Sequence, residues 1–333
     1  MKQLRSGLVL LMGLLTLGLM HAQAPMPGEI AKAHDEKVYT LAFAPDGKTF
    51  ASGGFDNLIK IWDWPSLKEL RKLPGHTNNV YCVAFNNDGT LLASSSQDKT
   101  IRLWNPAEGK LLRELKGHTD QVDSVAFSPD GKILASTSAD KTVRLWNPAD
   151  GKETKNLGSH AKGAYMVAFS PDGKLLASAG ADMIIKIWDV AAGKEAKQLK
   201  GHTDAVTGVA WHPTQPNTLV SIGHDRTVRV WDVAAGKETK QLGEVDEKTK
   251  AVAPLEDDPY GLAFSKEGKL ATSGYGGYLK IWDLNSGKAL QTIRLNQTVK
   301  NRFGAYCVVF SPDGKSVLTG HDQKMIVITP VGK

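Results

Sequence analysis

Tryptophan recurs along this chain at Trp62, Trp104, Trp146, Trp188, Trp231 and Trp282, spaced 42, 42, 42, 43 and 51 residues apart. A period of this size constrains the fold more than composition can, because each copy is one small unit that buries its apolar surface only by stacking on its neighbours. Each tryptophan closes a segment such as GHTDQVDSVAFSPDGKILASTSADKTVRLWN. A further copy, NRFGAYCVVFSPDGKSVLTGHDQKMIVIT, runs from Asn301 to Thr329 with Ile328 where the others have tryptophan. The chain therefore carries seven repeats, at about 34–63, 76–105, 118–147, 160–189, 202–232, 255–283 and 301–329.

Inside each copy the code is strand-like. Apolar residues alternate around VAF, a turn follows at SPDG (Pro129, Asp130 and Gly131 in the third copy), then a second β-rich run, a turn at an aspartate, and TVRLW. Four strands fit one period, and 33 glycines with 15 prolines suit many short strands joined by tight turns. The fold class is all-β. With 41% hydrophobic residues the chain can build a sizeable core, and two cysteines, Cys82 and Cys307, allow neither a disulfide framework nor a four-thiolate zinc site.

The GH, SPDG, ASxSxDxT and LW(D/N) signatures resemble those of the WD-repeat (WD40) β-propeller family, in a secreted, bacterial-type member, from about Gly28 to Pro330. The resemblance implies a single domain over 25–333: a seven-bladed β-propeller of four-stranded antiparallel blades. In that family each repeat supplies the outer strand of one blade and the three inner strands of the next. The last copy stops after its third strand, and GEIAKAH (Gly28 to His34) matches the outer-strand segments GKLLRELKGH and GKEAKQLKGH. Pairing of the N-terminal strand with the C-terminal blade is expected to close the ring and remove its open sheet edges.

Five copies hold a histidine, a serine and an aspartate, the side-chain set of a nucleophilic hydrolase. They are His34, Ser52 and Asp56; His76, Ser94 and Asp98; His118, Ser136 and Asp140; His160, Ser178 and Asp182; and His202, Ser221 and Asp225. A catalytic group rarely recurs five times in one chain, whereas a structural fastener must. The resemblance implies buried tetrads completed by Trp62, Trp104, Trp146, Trp188 and Trp231, tying the strands of each blade together. No catalytic residue, metal ligand or cofactor site is expected. Copies six and seven depart from the pattern, with Leu255 and Asn301 at the histidine positions and Gly276 at the sixth turn. They also follow the longest connectors, 243–258 and 294–304, which serve either function or solvation.

Members of the family commonly bind partners through the residue four before the VAF phenylalanine and the residue before the turn aspartate. The first position holds Tyr39, Tyr81, Asp123, Tyr165, Thr207, Tyr260 and Tyr306, five of the chain's seven tyrosines. The second holds Phe55, Gln97, Ala139, Ala181, His224, Tyr275 and His321. An aromatic top rim is expected, with Asp123 as a counter-charge, and tyrosine offers large, rigid contact area at small entropic cost. His224 and His321 fall either side of blade six, too far apart to share a metal.

Lys2 and Arg5 precede an apolar run from Leu8 to Met20, followed by Ala22 and Ala24, which reads as a cleaved signal peptide over 1–24. The run is short of the roughly 20 residues that span a bilayer, so no transmembrane anchor is expected after cleavage. Its loss lowers the formal net charge of +6 by two, too small a bias for nucleic-acid binding. The function read from these features is a non-catalytic, secreted or periplasmic scaffold for a protein or peptide partner, with a carbohydrate or small-ligand binder as the alternative. The opposite rim is rich in lysine, from Lys48 and Lys68 in the first copy to Lys315 in the last, and serves either as solvated hairpin ends or as a weak contact for an anionic envelope surface.

Overall fold

A computed structural model of the protein describes residues 28–249, 251–295 and 304–332. The expected leader over 1–24, and Asn301, lie outside them. The described residues form seven four-stranded antiparallel sheets, six of them built from four consecutive strands. Blade three is representative: Val122–Phe127 innermost, then Leu134–Ser138, Thr142–Trp146 and, outermost, Glu153–Ser159.

The turns follow from their side chains. In the SPDG turn of blade three, Ser128 Oγ donates to Asp130 Oδ1 at 2.6 Å, and that oxygen also accepts the Lys132 amide at 3.1 Å. Gly131 sits at φ +70°, a left-handed conformation that costs glycine little. At the next turn Asp140 Oδ1 accepts the Thr142 amide at 2.9 Å, while Lys141 takes φ +78°. The aspartate supplies the local acceptor that lets a lysine occupy the strained position.

The core is divided into seven apolar clusters, one at each junction between neighbouring blades. Ala51, Ile59, Ile61 and Leu73 of blade one pack against Val80, Val83, Leu92 and Trp104 of blade two, and the arrangement repeats around the ring. Each tryptophan thus faces the preceding blade. The junction between blades six and seven, built on Leu279, Ile281, Val308 and Val317, has no tryptophan among its described residues.

The ring closes in the seventh sheet, where the strand Gly28–Ile30 lies beside Ile326–Pro330. The register pairs Gly28 with Ile328, Glu29 with Val327 and Ile30 with Ile326. The N-terminal strand is three residues long, shorter than the GEIAKAH segment that the repeats suggest, because Ala31 and Lys32 turn away, Lys32 at φ +56°. Ala33 is nevertheless fully buried, and its carbonyl accepts the Lys60 ammonium at 2.6 Å. Deletion of 28–33 is expected to lower the melting temperature by well over 5 °C in a circular-dichroism melt, and an unchanged melt would show that closure contributes nothing.

Candidate functional site

The five histidine, serine and aspartate sets converge within their blades, each joined by a tryptophan. In blade three, Trp146 Nε1 donates to Ser136 Oγ at 2.8 Å, Ser136 Oγ lies 2.7 Å from His118 Nε2, and His118 Nδ1 lies 2.8 Å from Asp140 Oδ2. The indole can only donate, so the serine hydrogen goes to Nε2, and the imidazole proton sits on Nδ1 and faces the carboxylate. The same chain of contacts runs through Trp62, Ser52, His34 and Asp56, and through Trp104, Ser94, His76 and Asp98. It recurs through Trp188, Ser178, His160 and Asp182, and through Trp231, Ser221, His202 and Asp225. All five serines are at 0% exposure, which leaves no path for a substrate to reach a hydroxyl already committed at both ends.

Two features of this fastening are not apparent in the sequence pattern. Gly54, Gly180 and Gly223 leave room for the histidine, since a Cβ there would come within 2.6, 2.4 and 2.9 Å of the imidazole Nδ1 of His34, His160 and His202. A basic residue of the third strand then ties the blade outward. Arg144 lies 2.8 Å from Glu153 and 3.6 Å from Asp140, and Lys186 contacts Glu195 at 2.7 Å while lying over the Trp188 ring.

Blades six and seven reach the same end differently. In blade six Trp282 Nε1 donates to Thr272 Oγ1 at 2.9 Å, and Leu255 fills the histidine position as part of the apolar junction. Asp257, from the preceding connector, accepts the Gly276 amide at 2.6 Å, and Glu256 pairs with Lys280 at 2.9 Å. That connector folds back on itself through a bridge between Val245 and Val252.

In blade seven the register overturns one assignment. Ala305 pairs with His321 as Val38 pairs with Gly54, so His321 stands one place before the rim position. Asp322 holds that position, its amide bonding to the Gly304 carbonyl at 3.3 Å as the Phe55 amide bonds to that of Lys37 at 2.9 Å. His321 is 1% exposed, with Nε2 2.8 Å from Thr319 Oγ1, so it is an interior group and not part of a binding surface. It occupies from the strand itself the space that a preceding histidine fills elsewhere.

The mouth of the ring is shaped by a β-bulge that all seven innermost strands share. The ladder skips one residue between Val38 and Thr40, Val80 and Cys82, Val122 and Ser124, Ala164 and Met166, Val206 and Gly208, Pro259 and Gly261, and Ala305 and Cys307. The skipped residues are Tyr39, Tyr81, Asp123, Tyr165, Thr207, Tyr260 and Tyr306, and a bulge re-aims its side chain out of the regular pleat. All seven line one cavity of about 660 Å³, together with Phe55, Gln121 and His224. Gln97, Ala139, Ala181, Tyr275 and Asp322 are not on its wall, although Tyr275, at 45% exposure, packs its ring 6.3 Å from those of Tyr260 and Tyr306.

Aromatic contact is densest at blades one, two and seven. The Tyr39 ring lies 5.1 Å from Phe55 and 5.4 Å from both Tyr81 and Tyr306. Lys37, which the repeat pattern does not single out, places its ammonium 5.3 Å above Tyr306 and 5.8 Å above Phe55. Burial raises the hydroxyls of Tyr39, Tyr81, Tyr165, Tyr260 and Tyr306 above the ordinary phenol value, and the Asp123 charge adds to this at Tyr39, Tyr81 and Tyr165. Cys82 and Cys307 also line the cavity as free thiols, and burial pushes Cys307 up to about 12.

On the opposite rim Lys48, Lys132, Lys174 and Lys315 are exposed, but each SPDG-type turn also carries an aspartate. Lys174 Nζ lies 3.5 Å from Asp172, so positive and negative charges alternate there.

A family model described as WD domain, G-beta repeat matches residues 28–63, 67–105, 109–147, 151–189, 193–232, 252–283 and 294–328. Its matched segments end at or near the close of a third strand, and all but the sixth, which begins inside the 243–258 connector, begin at or near the outer strand of the preceding blade. A search of curated proteins returns no match.

Two predictions concern the fastenings. Trp146→Ala is expected to cost about 3–5 kcal/mol in urea unfolding, from the cavity and from the stranded Ser136 and His118. Acid should also destabilise the fold in two stages. Burial lowers His118 and His160 below the ordinary imidazole value, and lowers His321 to about 4. At these three histidines the unfolded chain therefore binds more protons below about pH 6.5, and the stability they contribute above that value is lost as pH falls toward 4, whereas Asp123, raised to about 7, and Asp257, also raised, hold protons in the fold over the same range and oppose that loss. Despite burial, hydrogen bonds and histidine or amide partners hold Asp98, Asp140 and Asp225 well below the usual carboxylate range, so a further loss follows below about pH 4. In an Asp123→Asn background, which removes the larger opposing carboxyl, melting temperatures that stay flat from pH 7 to 4 would contradict the buried neutral histidines.

Proposed function

Because the chain belongs to the WD-repeat β-propeller family, whose members act in general as protein-interaction scaffolds, we propose that it is a non-catalytic scaffold that binds a peptide or protein segment across the aromatic mouth of its ring. The observation that carries this reading is the shared bulge, which turns one side chain per blade into the cavity, five of the seven being tyrosine. Half-buried tyrosines around a concave mouth supply the rigid, amphipathic anchors on which protein interfaces rely. The leader-like N-terminus supports a site of action outside the cytoplasm, secreted or periplasmic. The hydroxyls that resemble nucleophiles are locked inside the blades, which supports binding without turnover. A second reading, a carbohydrate or small-ligand receptor, draws on the same wall, since the rings of Tyr165 and Tyr260 could stack on a sugar face.

Capture from the host's cell-envelope fraction tests the first reading against the second. The protein is compared with a Tyr81→Ala, Tyr165→Ala, Tyr260→Ala variant of matched melting temperature. A partner retained by the parent and reduced at least about tenfold by the variant is the expected result. Equal retention would move the binding surface away from the mouth, and a glycan that saturates the parent alone would favour the second reading.

A further inference from the structure

Asp123 differs from every other residue at the bulge position. Apart from His224 and the tyrosines and cysteines, it is the one titratable group on the cavity wall among the described residues. Its two oxygens are not equivalent. Oδ1 accepts Gln121 Nε2 at 2.9 Å, and Gln121 Oε1 in turn accepts the Tyr81 hydroxyl at 3.4 Å. Oδ2 is buried and has no hydrogen-bond partner among the described residues, since the Ala139 amide, close enough to favour the carboxylate electrostatically, donates to the Gln121 carbonyl at 3.0 Å. A buried carboxylate oxygen without a donor is costly, and its persistence at a binding mouth points to a donor that arrives with the ligand.

The surroundings select the chemistry of that donor. Tyr39, Tyr81 and Tyr165 lie close enough for the Asp123 charge to raise their hydroxyls, and their rings offer the negative π faces that attract cations. Lys37, the cation already at the mouth, is engaged elsewhere, its ammonium 3.4 Å from the Tyr306 hydroxyl. With Oδ1 occupied by Gln121, Asp123 offers one oxygen. A guanidinium binds best to both oxygens of a carboxylate, whereas an ammonium is a point charge that one oxygen and aromatic faces can satisfy. A lysine also brings a slender apolar stem suited to passage between rings.

We propose that the mouth is a receptor for one lysine ammonium presented by an extended segment of a protein partner, with Asp123 Oδ2 accepting a hydrogen bond from it and the neighbouring tyrosine rings flanking it. The proposal rests on the scaffold reading above and adds the chemistry of the anchor. Binding is then coupled to pH. Burial raises Asp123 to about 7, the Asp120 and Asp140 charges push the same way, and the Gln121 side chain and Ala139 amide oppose them. A bound cation favours the ionised carboxylate, so affinity rises through pH 7 and falls by up to about tenfold per unit below it.

The test titrates the protein with the capped pentapeptide Gly-Ser-Lys-Ser-Gly and with versions carrying Nε-acetyl-lysine, norleucine or arginine at the centre, reading tyrosine fluorescence at pH 6 and 8. Free n-butylammonium is titrated alongside. The lysine peptide should bind at least about tenfold more tightly than the acetyl-lysine and norleucine peptides, and more tightly than the arginine peptide. Asp123→Asn should erase that preference and its pH dependence while still unfolding in one cooperative transition, and Lys174→Ala, on the opposite rim, should preserve both. No preference for lysine, or a preference that survives Asp123→Asn, would overturn the proposal. If envelope capture is lost in the tyrosine variant but retained in Asp123→Asn, the scaffold reading stands and the lysine anchor falls. Butylammonium binding as tightly as the peptide would overturn the peptide source.

Discussion

A blade of four antiparallel strands has two broad faces and no means of burying either one alone. Every larger feature of this protein follows from that constraint. The seven apolar clusters lie between blades and not within them, so each blade is folded only in the company of its neighbours. An open row would leave the first and last faces wet and two sheet edges unpaired, and closing the ring removes both problems together. Three residue pairs complete the closing sheet, Gly28 to Ile30 against Ile326 to Ile328, but the junction behind them also buries Ala33, Val38, Trp62 and Leu318. The closure is thus a packed interface with a short hydrogen-bonded hem.

Within a blade, strand order is held by a polar chain buried in apolar surroundings. Such a chain is favourable only if each member finds its partner, and the indole, hydroxyl, imidazole and carboxylate satisfy one another in sequence. The two irregular blades show how much freedom this leaves. Blade six replaces the imidazole with Leu255 and takes its anchoring carboxylate from Asp257. Blade seven keeps an imidazole but draws it from His321 within its own second strand. The same space is filled from different places in the chain, although His321 bonds through Nε2 alone and its Nδ1 is buried without a partner among the described residues, so the interior requires occupancy more than it requires a particular ancestry for the residue.

The mouth illustrates how a symmetric frame acquires a direction. Seven equivalent bulges turn seven side chains toward one cavity, yet the residues they carry are unlike. Tyr39, Tyr306 and Phe55 form a dense aromatic cluster roofed by the Lys37 ammonium on one side, while Asp123 brings a carboxylate on another. Charge of opposite sign at separate points of one aromatic mouth gives a ligand a preferred orientation, which a ring of identical residues could not. On the lysine-bearing rim the reverse holds. Its turns repeat lysine with aspartate, and the alternation favours solubility over a directed field.

The repeat period, the turn residues and the tryptophan spacing determine, without coordinates, that this chain holds seven copies of a four-stranded unit, and the resemblance those residues carry to the WD-repeat family implies that the copies close into a ring of blades. Those signals are local, and each recurs often enough to be read against its copies. The histidine, serine and aspartate sets were legible for the same reason, because their offsets barely change from copy to copy. Tertiary structure decided the rest. His321 looks like a rim residue because the histidine and aspartate at 321 and 322 mimic the pair that precedes other turns, and only the pairing of Ala305 with His321 moves it into the interior. Lys37 and Gln121 lie in variable connectors with no repeat signature, so their places over Tyr306 and beside Asp123 could not be inferred from spacing. Asp123 itself was visible as an exception among tyrosines, but its one free oxygen was not. A sequence records which groups are present, whereas the satisfaction of a polar atom depends on donors brought to it by other strands and blades, and that is settled only when the ring has closed.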